Sequence, residues 1–263
     1  MTSLIAKVRS GLRRLWRRRR FYWSAWRRPV VPPHSAAWLP DGFRVTKLAA
    51  TGLTLVDNFC TPAEADDVIR AARDRLQRSG VLIDGKFRDH DGRYSFTAQM
   101  FGPYYRHRPL LPLMQRAAAL AGLPYTHLEA VYVTRYPEGG LYNEHVDHGA
   151  AFEVDRLYTV LLYLNTVEPG QGGATVFPHL QVAVQPRVGR AVTWTNKNPD
   201  GSEHWENSHA ALPVTDGGEK WVIQFWFRAY PMLRAIADAE VPQAVTGEPL
   251  PEDAALPSGV RRA

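Results

Sequence analysis

The sequence predicts a mainly β domain with flanking helices, built as a β-sandwich or as a jelly roll (double-stranded β-helix). Three observations carry this expectation. Seven short segments rich in Val, Leu, Thr and aromatic residues follow one another at 128–136, 157–165, 174–177, 181–185, 191–195, 209–214 and 221–227. Breaks containing Gly, Pro or Asn separate them, and no helical period intervenes, a pattern that fits sheet packed on sheet. Two helical patterns precede the strands and supply a cover for one face of the domain.

The first helix is signalled by Thr61-Pro62-Ala63-Glu64. Thr61 can accept from a free backbone N–H, Pro62 has none to lose, and Glu64 completes a capping box. Ala65, Val68, Ile69, Ala72 and Leu76 then form an apolar stripe, which predicts a helix ending at Gly80. A second helix is expected over residues 109–121, closed by Gly122.

Composition bounds the rest. At 263 residues, with 45% hydrophobic and 22% charged, the chain can bury one substantial core and carry extensions. No segment reaches the roughly 18 uninterrupted apolar residues of a membrane span. A single cysteine, Cys60, excludes an intrachain disulfide and suits the cytoplasm or another reducing compartment.

The net charge of +6 is unevenly placed. Residues 1–32 hold ten Lys or Arg and no acid, while the remaining 22 bases face 26 acids. The basic character therefore belongs to an arm and not to the domain. In that arm Leu4, Ile5, Val8, Leu12, Leu15 and Trp16 recur at helical spacing among arginines. The pattern suits peripheral binding to an anionic membrane surface, nucleic acid or a partner, or organelle targeting. A solvated arm explains the same composition. The organisation expected is an arm with a Pro linker over 1–45, a domain over 46–232, and a tail rich in Ala, Pro and acids over 233–263.

The chemistry concentrates in two places. In the extended segment from Arg135 to Asp147, residues two apart share a face, so His145 and Asp147 can offer an imidazole and a carboxylate to one ion. A third ligand from elsewhere would complete the facial triad of a non-haem iron(II) site, with positions left open. His209, at the start of a strand, can supply it. His204 is its rival, in a loop rich in Gly, Asn and Pro. On the final strand Lys220, Val222, Gln224 and Trp226 share one face, and Trp221, Ile223, Phe225 and Phe227 the other. The apolar face can pack on the domain. The first face turns a lysine inward, which is costly without an anion; the alternative is a lysine reaching solvent from a strand end.

Over roughly residues 53–228 the sequence resembles the catalytic domain of the prolyl 4-hydroxylase family of Fe(II)/2-oxoglutarate oxygenases. The resemblance rests on an ordered series. It runs from Arg135-Tyr136, Gly139 and Tyr142 to His145-x-Asp147, then 156–165, Gly172-Gly173-Ala174-Thr175-Val176-Phe177-Pro178, 185–191, His209 and Lys220-Trp221. It implies that His145, Asp147 and His209 hold Fe(II). It further implies that Lys220 binds the distal carboxylate of 2-oxoglutarate with Tyr136 and Thr175, that Trp226 lines the same pocket, and that Tyr142 and Arg156 lie toward the substrate. The charges fit, because Fe(II), one Asp, dianionic 2-oxoglutarate and Lys sum to zero. The implied reaction uses O2, with ascorbate as a candidate reductant, releases succinate and CO2, and hydroxylates a prolyl residue of a peptide or protein substrate; the alternatives are an oxygenase acting on another residue or a small molecule, and a catalytically inactive binding module tethered by the basic arm. His107, His127 and His179 are read as ordinary surface or core residues.

Overall fold

In the computed structural model, residues 43–83, 86–100, 110–147 and 156–229 are described. The basic arm, the tail and His107 lie outside them.

Among the described residues, fifteen strands and two α-helices follow in chain order. The first strands are β1 (Arg44–Lys47) and β2 (Thr54–Asp57), followed by helix α1 (Pro62–Arg73). Next come β3 (Gln77–Arg78), β4 (Val81–Ile83), β5 (Lys86–Arg88), β6 (Arg93–Tyr94), β7 (Phe96–Met100) and helix α2 (Leu110–Ala121). Then follow β8 (Val131–Tyr136), β9 (Leu141–His145), β10 (Arg156–Tyr163), β11 (Thr175–Phe177) and β12 (Val182–Val184). The last are β13 (Ala191–Thr195), β14 (His209–Ala211) and β15 (Lys220–Arg228). An eight-stranded sheet in the order β1-β2-β13-β10-β15-β8-β7-β3 and a five-stranded sheet in the order β12-β11-β14-β9-β6 make the jelly roll.

The period-two reading of the last strand is realised. Trp221, Ile223, Phe225 and Phe227 join the core that the eight-stranded sheet shares with the two helices. Lys220, Val222 and Gln224 are buried on the opposite face. The pairing Leu161↔Gln224 and Tyr163↔Val222 puts Leu161 and Tyr163 of β10 on that face too. The interior between the sheets is thus lined by alternate residues of the central strands.

Helix α1 carries the expected capping box, with Thr61 Oγ1 accepting from Glu64 N and Glu64 Oε2 accepting from Thr61 N. It ends at Arg73, not at Gly80. The apolar stripe does not decide that end, because Gln77 and Arg78 instead pair with Thr97 and Phe96 as the edge strand β3. Leu76 still packs on the same core, from outside the helix. Arg116 of α2 grips Glu64 through two nitrogens and donates to Phe59 O, tying the two helices together. Helix α2 closes as expected at Gly122, whose φ of 63° no branched residue adopts readily.

Other boundaries shift. The sheet begins at Arg44, inside the limit expected for the arm. Strand β14 stops at Ala211, because Pro213 cannot donate to a ladder; Val214 beyond it bridges Gly172 and bonds Gly140 and Gly139 through its own N and O. Strands β1 to β7 are absent from the sequence reading. They are short pieces: β1 with β2 and β4 with β5 pair locally, while β2, β6 and β7 are placed by β13, β9 and β8 further along the chain.

Candidate metal and cosubstrate site

His145 and His209 are opposed in the β9–β14 ladder, which brings their ring centroids to 4.4 Å. Asp147 lies two residues beyond β9, in a bend. Its Oδ1 is 3.9 Å from the Nε2 atom of each histidine. These three are the one group of His, Cys, Asp or Glu among the described residues with ligand atoms close enough to share an ion, all within 4.8 Å.

Every other polar atom of the three side chains is spoken for. His145 Nδ1 is 2.8 Å from Asn143 O, and His209 Nδ1 is 3.1 Å from Asn207 O. A carbonyl can only accept, so Nδ1 of each ring carries a proton, and Nε2 is the atom each ring turns toward Asp147. Asp147 Oδ2 accepts from Thr159 Oγ1 at 2.7 Å and from Trp226 Nε1 at 3.0 Å, leaving Oδ1 to face the histidines. Burial, reinforced by the nearby His209 ring, pushes His145 down to about 3, so its imidazole is neutral at physiological pH. Burial works against the Asp147 charge. The two imidazoles, Arg156 and the Trp226 hydrogen bond outweigh it and hold the carboxyl below its usual range. Two imidazole Nε2 atoms and one carboxylate oxygen fit a divalent iron ion with open positions.

Next to this group is a cavity lined by Tyr136, Tyr142, His145, Leu161, Thr175, His209, Ala211, Lys220, Val222 and Gln224. Lys220 is only 1% exposed, and its Nζ donates to Gly173 O at 2.8 Å. No carboxylate of the described residues pairs with it. Burial pushes its ammonium down to about 7. Nζ also lies 4.4 Å from the centroid of the Tyr136 ring. The carbonyl that Lys220 meets depends on Gly172-Gly173. Gly172 has φ 69°, and a Cβ there would lie 2.2 Å from Pro213 O, so the two backbones approach only because no side chain intervenes. A buried cation beside hydroxyl donors on a wall otherwise apolar fits a small dianion.

The structure gathers Tyr136, Thr175 and Lys220 around one cavity, with Tyr142 at its side stacked on His145 at 3.6 Å and 22°. It separates Trp226 from them. Six residues of strand span about 20 Å, so a shared face does not mean a shared pocket, and the indole reaches Asp147 instead. Arg156 is beside Trp226, its guanidinium 3.7 Å from the ring. It donates to Asp147 O at 3.0 Å and meets the buried Glu129 through two nitrogens at 2.8 and 2.9 Å. His204 is not near the ligands; its Nδ1 meets Thr195 Oγ1 at 2.9 Å and Asn207 Nδ2 at 3.1 Å. His127 Nδ1 meets Arg228 O, and His179 is largely exposed.

Sequence reasoning passed over Thr159, Glu129 and Gln224 as site residues. The period-two face containing Lys220 already held Gln224. A threonine inside an apolar strand gives no such signal.

Residues 131–228 match the model of the 2OG-Fe(II) oxygenase superfamily, a span that runs from β8 through β15 and includes all three ligands and Lys220. Among proteins similar to this chain is prolyl 4-hydroxylase subunit alpha-1 of Gallus gallus, 34% identical over 174 residues, covering 62% of this chain and 33% of the subunit. The chain thus spans about a third of the length of such relatives. A probable prolyl 4-hydroxylase 7 of Arabidopsis thaliana is 28% identical over 219 residues, covering 74% of this chain and 68% of the relative. The crystal structure of a viral collagen prolyl hydroxylase from Paramecium bursaria Chlorella virus-1, in its 2OG complex, superposes with a TM-score of 0.54 at 26% identity. It covers 68% of this chain and 96% of that one. The oxygenase family implies Fe(II), 2-oxoglutarate and O2 as its reactants, and the donor set described above fits them.

Proposed function

We propose that this protein is an Fe(II)- and 2-oxoglutarate-dependent hydroxylase acting on prolyl residues of a peptide or protein, with release of succinate and CO2. One observation carries the reading: a fully buried lysine, without a carboxylate partner among the described residues, lines the same cavity as His145 and His209, whose Nε2 atoms face an oxygen of Asp147. The prolyl assignment draws its support from the similarity to prolyl 4-hydroxylases.

On this reading His145 Nε2, His209 Nε2 and Asp147 Oδ1 hold the metal. Lys220 Nζ receives the far carboxylate of the cosubstrate, with the Thr175 and Tyr136 hydroxyls as further donors. Leu161 and Val222 wall the cavity with hydrocarbon and exclude water, which strengthens each of these polar contacts. When bound, iron and 2-oxoglutarate together supply the activation of O2 that a hydroxylation requires. The chain orients its partners and balances charge. The basic arm would add a tether to an anionic surface, a role tested by liposome and nucleic-acid binding with residues 1–32 present or deleted.

The test is succinate formation from 2-oxoglutarate under Fe(II) and O2, with proline-rich peptides offered as substrates. The expected result is turnover lost in Asp147→Ala, a raised 2-oxoglutarate requirement in Lys220→Ala, and stimulation by a peptide with hydroxyproline in the product. Turnover that needs Asp147 but responds to no peptide would retain the oxygenase and remove the prolyl substrate. Absence of turnover and of 2-oxoglutarate binding would overturn the reading.

A further inference from the structure

We propose that Asn196 is a positioning residue for the metal-binding carboxylate: its amide sets the direction of the Thr159 hydroxyl, which in turn restricts Asp147 to one ligand oxygen. The proposal rests on the reading of His145, Asp147 and His209 as a metal centre.

The argument begins with one proton. The Thr159 hydroxyl has a single hydrogen and two close polar neighbours, Asn196 Nδ2 at 2.9 Å and Asp147 Oδ2 at 2.7 Å. Thr159 is fully buried and Asn196 is 2% exposed, so bulk solvent does not compete for these contacts. An amide nitrogen can only donate, which obliges the Thr159 oxygen to accept from it. The hydroxyl proton is then committed to Asp147. An amide turned the other way would set two acceptors against that one proton.

The consequence falls on the carboxylate. Asp147 Oδ2 takes one donor from Thr159 and a second from Trp226, and Oδ1 alone faces the histidine Nε2 atoms. A carboxylate with one oxygen held this way binds a cation through the other. Turning both oxygens to the metal would consume a position that cosubstrate or O2 needs.

The place of Asn196 in the chain suits the task. It follows β13 immediately. Its backbone N donates to Leu157 O at 2.9 Å, on β10 two residues before Thr159, and its backbone O accepts from His204 N at 3.2 Å. The neighbouring Thr195 O accepts from Asn207 Nδ2 at 2.9 Å, and Asn207 O orients His209. One strand end therefore supports two ligands that arrive from different strands. The backbone ties of Asn196 survive a side-chain change, so its amide can be tested alone.

The experiment is Co(II) titration of the metal-free full-length chain, followed by the visible absorption of the bound ion, with circular dichroism to establish folding. Asn196→Asp is nearly isosteric but replaces the donor by an acceptor, which turns the Thr159 proton away from Asp147. Asn196→Asp and Thr159→Val should each weaken Co(II) binding by about 10- to 100-fold, the usual cost of losing an outer-shell partner. Both should alter the Co(II) spectrum, while Thr159→Ser should preserve affinity and spectrum. In the Thr159→Val background Asn196→Asp should add no more than about twofold, because the two residues act along one path. If Asn196→Asp does not fold, Asn196→Ala takes its place in the cycle. Wild-type affinity and spectrum in the Asn196 variant, or effects that multiply in the double variant, would overturn the proposal. A wild-type chain that binds no Co(II) would overturn the metal centre and this inference together.

Discussion

Trp226 Nε1 donates to Asp147 Oδ2 at 3.0 Å, although the tryptophan shares its strand face with a lysine that serves a different part of the interior. The last strand therefore spans the site, with the lysine at its start and the outer support of a metal ligand near its end. Replacing Trp226 by Phe retains an aromatic ring and removes only the donor. Metal affinity should fall by about 10- to 100-fold, with little change in the 2-oxoglutarate concentration needed at saturating metal. Co(II) titration paired with 2-oxoglutarate saturation curves checks both halves. A raised cosubstrate requirement at unchanged metal affinity would return Trp226 to the lysine's pocket.

Lys220 gives the opposite split. Its Nζ bonds Gly173 O and lies over the Tyr136 ring instead of bonding a ligand, so Lys220→Met should leave Co(II) affinity within about twofold of wild type. It should raise the 2-oxoglutarate requirement by about 10- to 100-fold, the loss expected for a charge-assisted hydrogen bond. The same variant should melt no lower than wild type in the absence of cosubstrate, because a buried unpaired cation is exchanged for a hydrocarbon of similar length. Differential scanning calorimetry with and without 2-oxoglutarate checks this: ligand should stabilise wild type and not the variant.

The depressed ammonium also dictates a pH dependence. Lys220 titrates near 7 in the folded chain, against about 10.4 unfolded. Between those values the unfolded chain holds a proton that the folded chain has released. The lysine's contribution to stability therefore rises with pH across that window, and below pH 7 the full cost of burying the charge is present. The difference, on the order of 4 kcal/mol, is read by comparing wild type with Lys220→Met from pH 6 to 10. Binding a dianion demands the charged form. Above pH 7 the affinity for 2-oxoglutarate should fall about tenfold per unit with uptake of one proton, measurable by calorimetry in buffers of different ionisation enthalpy on Mn(II)-loaded protein.

How much of this was legible follows from the reach of each signal. Alternation along β15 is local, so both the inward lysine and the helix-facing Trp221, Ile223, Phe225 and Phe227 could be read from the chain. His145 and Asp147 stand two residues apart, and their convergence needed only an extended backbone. His209 was legible as a strand-start histidine, but its opposition to His145 is a matter of register between strands distant in sequence. Pairing of that kind also defeated the reading of β3, which ended a helix that the apolar stripe would have carried on. The supports of Asp147 were the least legible part. Thr159 comes from β10 and Asn196 from the end of β13, and no spacing rule links two residues that meet only through sheet order.

The last prediction concerns a support outside the site. Gly189 has φ 74°, and a Cβ there would lie 2.4 Å from Cys60 O, which is backbone and cannot swing aside. Its own backbone is committed on both sides. Phe59 N donates to Gly189 O at 2.7 Å, and Gly189 N donates to Tyr163 O at 3.1 Å, so the turn before β13 is locked between the entrance to α1 and the end of β10. Gly189→Ala must either force a left-handed alanine, costing on the order of 1–3 kcal/mol, or break those bonds and displace Phe59 from the helix-side core. The expected total is about 2–4 kcal/mol, seen as a lower midpoint in urea with an unchanged slope. The two histidines arrive on β9 and β14 and Asp147 just beyond β9, so protein that remains folded should bind Co(II) within about twofold of wild type. A stable variant with weakened metal binding would instead place the turn before β13 in the support of the site.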